Sequence, residues 1–106
     1  MRDAYEYQTF PIPRDAWIVN ALKNIGDDGW EVTYYRADHS RGGQFSRWVE
    51  ARRPRRRIHV PKWEYGVFRT NSDGQSKEAD SEGWQAVIEI YSYGNGRGWL
   101  FKRTVA

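Results

Sequence analysis

The densest chemical feature of the sequence is a run of arginines near its middle. Five of the six residues from 52 to 57 are arginine, and the sixth is proline. A guanidinium group stays charged and matches the geometry of phosphate oxygens, so the run favours contact with nucleic acid or another anion. The alternative is a solvated linker that self-repulsion and proline keep extended. The predicted anion-binding residues are Arg52, Arg53, Arg55, Arg56, Arg57 and Lys62.

Aromatic side chains near basic ones would extend such a site, because rings on an exposed sheet stack on the bases of a single strand. The candidate stacking residues are Tyr35, Trp48, Tyr91 and Tyr93. The alternative is that these rings cover the core of a small sheet, since aromatic residues make up 16% of the chain. No ribonucleoprotein-type strand motif accompanies them.

The sequence contains no clear pattern of catalytic or metal-binding residues. His39 and His59 lie in a predicted turn and beside the arginine run, and no nucleophile motif is near either. The acidic residues of the chain do not follow the spacing of a metal-binding loop. Glu6 and Glu64 recur symmetrically, which suits cross-strand pairs with basic residues such as Arg103 or Arg52 better than acid–base catalysis. We therefore expect no enzyme activity, no cofactor and no metal site.

The composition restricts the chemistry and the cellular location that we expect for the protein. The 106 residues carry a net charge of +3 and no cysteine, which excludes disulfides and thiolate chemistry. No stretch approaches the roughly 20 apolar residues of a membrane-spanning helix. The first ten residues lack the apolar region of a signal peptide, so we expect a cytoplasmic protein with no membrane contact.

The sequence repeats itself. "YEYQTF" at 5–10 matches "WEYGVF" at 63–68, and "DDGW" at 27–30 matches "SEGW" at 81–84. A third match aligns Trp48 with Trp99 as two core residues. Three landmarks in the same order indicate an internal duplication. The predicted units are 1–54 and 62–106, joined by a basic linker at 55–61, and together they form one compact domain.

The first unit reads as strand, helix, strand, strand. Apolar residues at helical spacing from Trp17 to Ile25 predict a helix over about 13–25 that begins near Pro13 and ends at a left-handed Gly26. In the following strand Trp30, Val32 and Tyr34 alternate with polar neighbours, which predicts that these three share the core face.

The second unit has the same order with a weaker helix. The segment 71–82 offers only Ala79 as an apolar residue, so a helix there is short, near 76–81. Trp84, Ala86, Ile88 and Ile90 alternate and are predicted to share one face. In both units the glycine before the tryptophan, Gly29 or Gly83, is predicted to supply backbone freedom for the exit from the helix.

These motifs resemble a family of short bacterial and phage proteins, the domain-of-unknown-function family 4177. Its pattern of an opening "WEY" strand, an "EGWE" turn and a closing "FKR" strand is similar to "KWEYGVF", "SEGWQA" and "WLFKR" in the second unit. The first unit shows "YEYQTF" and "DDGWEV", with "VEARR" where the family has "FKR". The resemblance implies a fold and no particular activity.

The sequence therefore predicts an α+β fold of two fused β-α-β-β units, with antiparallel sheet covered on one face by the main helix. Two functions are open. One is a small module that binds nucleic acid or another anion through the arginine run and nearby rings. The other is a bacterial or phage accessory protein that binds a partner protein through an aromatic patch or a sheet edge. Exposed sheet edges also make a homodimer plausible.

Overall fold

Two three-stranded antiparallel sheets make up the frame of the protein in a computed structural model. The structure describes residues 4–39, 45–56, 59–71, 73–93 and 96–105. The first unit consists of β1 (Tyr5–Ile12), α1 (Ile18–Asp27), β2 (Glu31–His39) and β3 (Phe45–Pro54). The second consists of β4 (Trp63–Thr70), α2 (Lys77–Ser81), β5 (Gln85–Tyr93) and β6 (Gly96–Thr104). The strand orders, β1-β3-β2 and β4-β6-β5, are the same, which confirms the predicted α+β fold of two similar units.

The main helix begins later than its apolar pattern predicts. Helix α1 starts at Ile18, and residues 13–16 before it form a turn in which the Ala16 amide donates to the Pro13 carbonyl. Arg47 of β3 holds this turn, because its Nη2 donates to the carbonyls of Pro13 and Ala16, each at 2.8 Å. Carbonyls bound by a side chain in this way do not join the helical ladder, so the predicted start at Pro13 is wrong by five residues.

Gly26 has a different role from the predicted one. It lies inside α1 and is buried, while the left-handed backbone falls on Gly29, with φ of 87°, and on Gly83, with φ of 79°. A Cβ atom at Gly26 would overlap the carbonyl of Trp63 on β4. Glycine is therefore needed where the helix of the first unit crosses the first strand of the second, and the predicted freedom at the two Gly-Trp turns is confirmed.

A β-bulge changes which tyrosine of β2 faces the core. The pairing of β2 with β3 shifts between Val32 and Tyr34. As a result Tyr34 is 44% exposed, whereas Tyr35 packs against the core. The predicted core position of Tyr34 is wrong, because a bulge inserts one residue and reverses the alternation beyond it.

Strand β5 departs from strict alternation for the same reason. Its pairing with β6 shifts between Ala86 and Ile88 and again between Glu89 and Tyr91. Ala86 is exposed, while Val87 packs against the core. The predicted single face of Trp84, Ala86, Ile88 and Ile90 is therefore wrong.

The short second helix agrees with its prediction. Helix α2 spans five residues, and the Ser76 hydroxyl caps it by accepting a hydrogen bond from the Ala79 amide at 3.2 Å. Ala79 is completely buried and is the one apolar residue that this helix contributes. Neither helix is long and apolar enough to span a membrane, among the residues that the structure describes.

The strand registers correct one of the sequence matches. Phe10 pairs with Val49 in the first sheet, and its counterpart Phe68 pairs with Trp99 in the second. Trp99 is thus the counterpart of Val49, and Trp48 is the counterpart of Gly98, so the predicted match of the two tryptophans is off by one residue. The same register aligns "ARR" at 51–53 with "FKR" at 101–103.

One core joins the two units. Helix α1 lies against β4, and β2 lies against β5. The cluster of buried residues includes Leu22 of α1 and Leu100 of β6, both without any exposed surface. The remaining buried members are Ile12, Ile18, Trp30, Val32, Val49, Ala51 and Tyr65.

Tyr65 fastens the second unit to the first. Its phenol donates to the Trp30 carbonyl at 2.7 Å and accepts from the Val32 amide at 2.8 Å. Val32 belongs to β2 and Trp30 directly precedes it, on the side of that strand with no neighbouring strand among the described residues. Tyr65 is 6% exposed, and this burial raises its pKa. The phenol therefore satisfies two buried polar groups that would otherwise lack partners.

Glu31 adds an ionic contact between the units. One carboxylate oxygen accepts from Arg52 Nε at 2.9 Å, and the other accepts from Lys102 Nζ at 2.7 Å. Lys102 also donates to the Val32 carbonyl. Burial of Glu31 acts to raise the pKa of its carboxyl, but the hydrogen bonds and charges of Lys102 and Arg52 outweigh it and lower that pKa from 4.5.

Replacing Tyr65 by phenylalanine should lower the free energy of unfolding by about 1–3 kcal/mol, because the Trp30 carbonyl and the Val32 amide lose a buried partner. The matched control is Tyr7→Phe at the counterpart position, where the ring is 64% exposed and the change should stay below about 0.5 kcal/mol. Denaturant unfolding of both variants measures the difference. Equal effects at the two positions would contradict this role of Tyr65.

Glu31 should make stability depend on acid. Its folded-state pKa is lowered from 4.5, so its contribution is present above pH 4.5 and is lost as the pH falls through the folded value. The Glu31→Gln variant should therefore be less stable than the native chain at pH 7, and the two should converge as the pH falls below 4.5. Unfolding curves from pH 7 to pH 3 test this, and a constant difference would refute it.

Candidate binding surface on the first sheet

Arg53 of the arginine run is built into the fold. Its Nε donates to Glu6 at 2.7 Å, and its Nη1 donates to the carbonyl and the carboxylate of Asp28, each at 3.0 Å. The guanidinium lies 4.3 Å from the centre of the Trp30 ring. Only 8% of the side chain is exposed. Arg53 thus joins β3, β1 and the Gly-Trp turn.

Arg103 repeats this arrangement in the second unit. Its Nε donates to Glu64, its Nη1 donates to the Glu82 carbonyl at 2.6 Å, and it lies 4.1 Å from the Trp84 ring. The predicted cross-strand pair of Glu64 and Arg103 is confirmed. Glu6 pairs with Arg53 and not with Arg52, because Arg52 points to the opposite side of β3. We call these two arrangements the arginine clamps.

The other predicted anion-binding residues are placed differently from Arg53. Arg52 pairs with Glu31 and covers the Tyr5 ring at 4.5 Å. Arg55, Arg56 and Lys62 are exposed, and none of them has an ion pair within the described part of the chain. Arg57 lies outside the described residues. The Arg55 amide donates to the Ala4 carbonyl, so the exposed pair follows directly from the end of the first sheet.

The net charge of the protein comes from this segment. Residues 1–54 contain eight basic and eight acidic residues, and residues 62–106 contain six of each. The excess of +3 therefore equals the charge of Arg55, Arg56 and Arg57. Long-range attraction of an anion would have its source at this corner of the molecule.

The predicted stacking residues do not form one platform. Tyr35 faces the core, and Trp48 lies on the opposite side of the first sheet with the Arg36 guanidinium 5.4 Å from its ring. Tyr91 belongs to the second sheet, where its ring occupies the space that a Cβ at Gly98 would need. Tyr93 ends β5, and its side chain lies outside what the structure describes.

The first sheet exposes the face that points away from α1, which we call the outer face. Two aromatic residues on the outer face are exposed to solvent: Tyr7 is 64% exposed and Tyr34 is 44% exposed. Across the strands Thr9 pairs with Glu50, and Glu50 pairs with Tyr34. Its other members, from one end to the other, are Tyr5, Arg52, Glu31, Pro11, Trp48, Arg36 and Asp38.

A shallow cavity of about 380 Å³ lies at the centre of the outer face. The cavity is lined by Tyr7, Gln8, Thr9, Thr33, Glu50 and Ala51. The Thr33 hydroxyl donates to the backbone carbonyl of Glu50 at 3.3 Å. The Glu50 side chain is exposed and forms no ion pair with the described residues. The cavity is therefore polar and carries a negative charge.

The counterpart of the outer face is buried in the second sheet. Tyr7 corresponds to Tyr65, which is 6% exposed, and Thr9 corresponds to Val67. Glu50 corresponds to Leu100, which has no exposed surface. The same face of the same fold thus contacts protein in one unit and solvent in the other.

Two further cavities lie between the units. One, of about 370 Å³, is lined by both acidic and basic groups, among them Asp27, Asp28, His59 and Lys62. The other, of about 390 Å³, lies between α1 and β4 beside Lys23 and Glu64. Within the described ranges no three histidine, cysteine or acidic side chains are grouped as metal ligands.

Sequence reasoning missed the two most exposed rings of the outer face. Tyr7 sits in the same motif as the buried Tyr65, and the motif itself does not distinguish them. Tyr34 was placed in the core, because the bulge before it leaves no trace in the alternation of residue types. The polar residues Thr9 and Glu50, opposite Val67 and Leu100 in the repeat, were the signal that could have identified this face.

No protein-family model matches this chain, and no curated protein or solved structure is significantly similar to it.

Substitutions of the buried and the exposed arginines of the run should differ in their effect on the free energy of unfolding. Arg53→Lys keeps the charge but loses the forked contacts to Glu6 and Asp28, and should lower the free energy of unfolding by about 2–3 kcal/mol. Arg55→Lys, at an exposed position of the same run, should change it by less than about 0.5 kcal/mol. Denaturant unfolding compares the two. A similar loss for both would show that the exposed segment is also structural.

Proposed function

We propose that this protein is a non-enzymatic interaction module that binds a partner protein on the outer face of its first sheet. The observation that carries the proposal is the contrast between Tyr7 and Tyr65. The second unit uses this face to bind the first unit, and the first unit leaves the same face open. A sheet face that already packs against protein in one copy is suited to the same use in the other.

The composition of the outer face supports a protein partner. Tyrosine, tryptophan and arginine are enriched where protein interfaces gain most of their binding energy, and here Tyr7, Tyr34 and Trp48 lie on one face with Arg36. Charges of both signs are present, since Glu50 lies between the rings. A partner protein can present both complementary charges, whereas a polyanion crossing the centre of the face would meet Glu50 at close range.

The resemblance to family 4177 supports a bacterial or phage accessory protein, and we propose a cytoplasmic site of action. A second copy of the chain is an alternative partner. Strand β1 has β3 on one side only among the described strands, so pairing along β1 would give a homodimer. The mass of the protein in solution distinguishes this arrangement from a complex with another protein.

The second candidate function is binding of nucleic acid or another anion. It is favoured by one observation, the exposure of Arg55 and Arg56, neither of which has an ion pair within the described part of the chain. Tyr5, covered by Arg52, pairs with Pro54 at the end of β3 that precedes these arginines. Three neutralised phosphates of a single strand would make the affinity fall roughly 20-fold between 50 and 200 mM salt.

Three variants should separate the two functions. Tyr7→Ala with Tyr34→Ala removes the exposed rings, and glutamine at 55, 56 and 57 removes the arginine charges. Glutamine at Lys23, Arg69 and Lys77, which are exposed elsewhere, is the control with an equal change in charge. Each form is tested for binding to short single and double strands of DNA across salt concentrations, and for retention of identified proteins from a nuclease-treated lysate of the encoding organism.

For a protein-binding module, one identified protein is retained by the native chain and by both glutamine variants, and is lost with the tyrosine variant. Retention should change little with salt. Loss of retention on nuclease treatment, or salt-dependent DNA binding that only the arginine variant abolishes, would establish the second candidate in its place. Equal retention by the tyrosine variant would remove the outer face from consideration.

A further inference from the structure

We infer that the cavity on the outer face is a binding site for a basic side chain, the ammonium of a lysine or the guanidinium of an arginine presented by the partner. The inference rests on the proposed function and specifies the chemistry of the partner. Glu50 supplies the charge of the site, Tyr7 supplies an aromatic wall, and Thr9 supplies a hydroxyl beside them.

The carboxylate of Glu50 is available to a ligand. Glu50 is exposed, and no ion pair to it is formed by the described residues. The neighbouring cations of the outer face have other contacts. Arg52, two positions along β3, is paired with Glu31, and Arg36 lies over the Trp48 ring. The directly opposite residues, Thr9 and Tyr34, are uncharged.

The groups around Glu50 are those that recognise a cation. The Tyr7 ring lines the cavity and is 64% exposed, so a charged nitrogen can lie over its face while it pairs with the carboxylate. The Thr9 hydroxyl can accept one of the remaining N–H groups of an ammonium or guanidinium. A cavity of about 380 Å³ is large enough for the end of a long basic side chain.

The corresponding positions of the second unit are apolar, whereas those of the cavity are polar. There Tyr65, Val67 and Leu100 belong to the apolar contact with the first unit. Threonine and glutamate at the corresponding positions of the first unit remove that apolar surface and install a charge. An apolar helix such as α1 would bury the Glu50 carboxylate without a partner, so the outer face selects a basic ligand over an apolar one.

The second unit of another copy is a poor ligand for this face. The turn hydrogen bonds, Gly29 to Gly26 and Gly83 to Asp80, make Asp80 the counterpart of Gly26. Gly26 has no room for a Cβ where the Trp63 backbone crosses it. An aspartate at the same crossing would be excluded, so α2 of a second copy cannot dock on the outer face as α1 docks on the second sheet.

Titration of the ¹⁵N-labelled protein with blocked tripeptides tests the site. Tri-lysine and tri-arginine should shift the backbone amide signals of Thr9, Thr33 and Glu50, and tri-glutamate should not. Glu50→Gln should weaken the affinity for both basic peptides at least tenfold. Glu78→Gln removes an equal charge from exposed α2 and is expected to leave the affinity unchanged. Tyr7→Leu, which removes the aromatic wall, should weaken it severalfold.

An unchanged affinity in Glu50→Gln, or shifts that map away from these amides, would overturn the inference. Tri-glutamate acting on the same amides would overturn it as well. The spectrum and unfolding midpoint of each variant verify that it is folded. If the identified partner is retained by Glu50→Gln but lost with the tyrosine variant, the cation site fails and the protein-binding face stands. If the basic peptides bind as expected and no partner depends on the tyrosines, the proposed function fails by itself.

Discussion

The hydroxyl group of Tyr65 is the contact on which the association of the two units depends. It places one donor and one acceptor against the backbone of β2, on the side of that strand with no neighbouring strand among the described residues. Burying that side of β2 without these hydrogen bonds would leave a carbonyl and an amide unsatisfied in the core. Gly26 makes the approach possible by letting the β4 backbone come against α1. The Glu31–Lys102 pair closes the same contact at its edge.

The arginine clamps explain why three short motifs recur together along the chain. The glutamate of "YEY" or "WEY", the carbonyl before the Gly-Trp pair, and the tryptophan itself all contact one arginine, Arg53 or Arg103. The motifs are therefore parts of one structural unit that connects the ends of three segments. This arrangement also reduces the arginine run as a binding surface, since one of its members is buried and another is paired with Glu31.

The candidate site lies where the two similar units differ at a few positions. Both units have a tyrosine as the third residue of their opening strand, Tyr7 in β1 and Tyr65 in β4. The residues around the two tyrosines differ in polarity. Valine and leucine beside Tyr65 make a surface that packs against the first unit. Threonine and glutamate beside Tyr7 make a polar face with an aromatic border and an exposed carboxylate. The proposed partner site is thus the solvent-facing version of an interface that the molecule already contains.

The sequence by itself determined the order of the strands and helices along the chain and the similarity of the two units. It also determined the short length of α2 and the positive φ of Gly29 and Gly83. These features depend on local preferences, namely hydrophobic period, capping and the conformational freedom of glycine. The bulges in β2 and β5, and with them the faces of Tyr34, Tyr35 and Val87, were decided only in the tertiary structure. A bulge changes the pairing of two strands without changing the pattern of either one. The tertiary structure also decided that Arg53 is buried and Arg55 exposed, and that Tyr65 is buried and Tyr7 exposed. In each pair the two residues are of one type and share a motif, and their burial depends on which distant segment lies against the side chain.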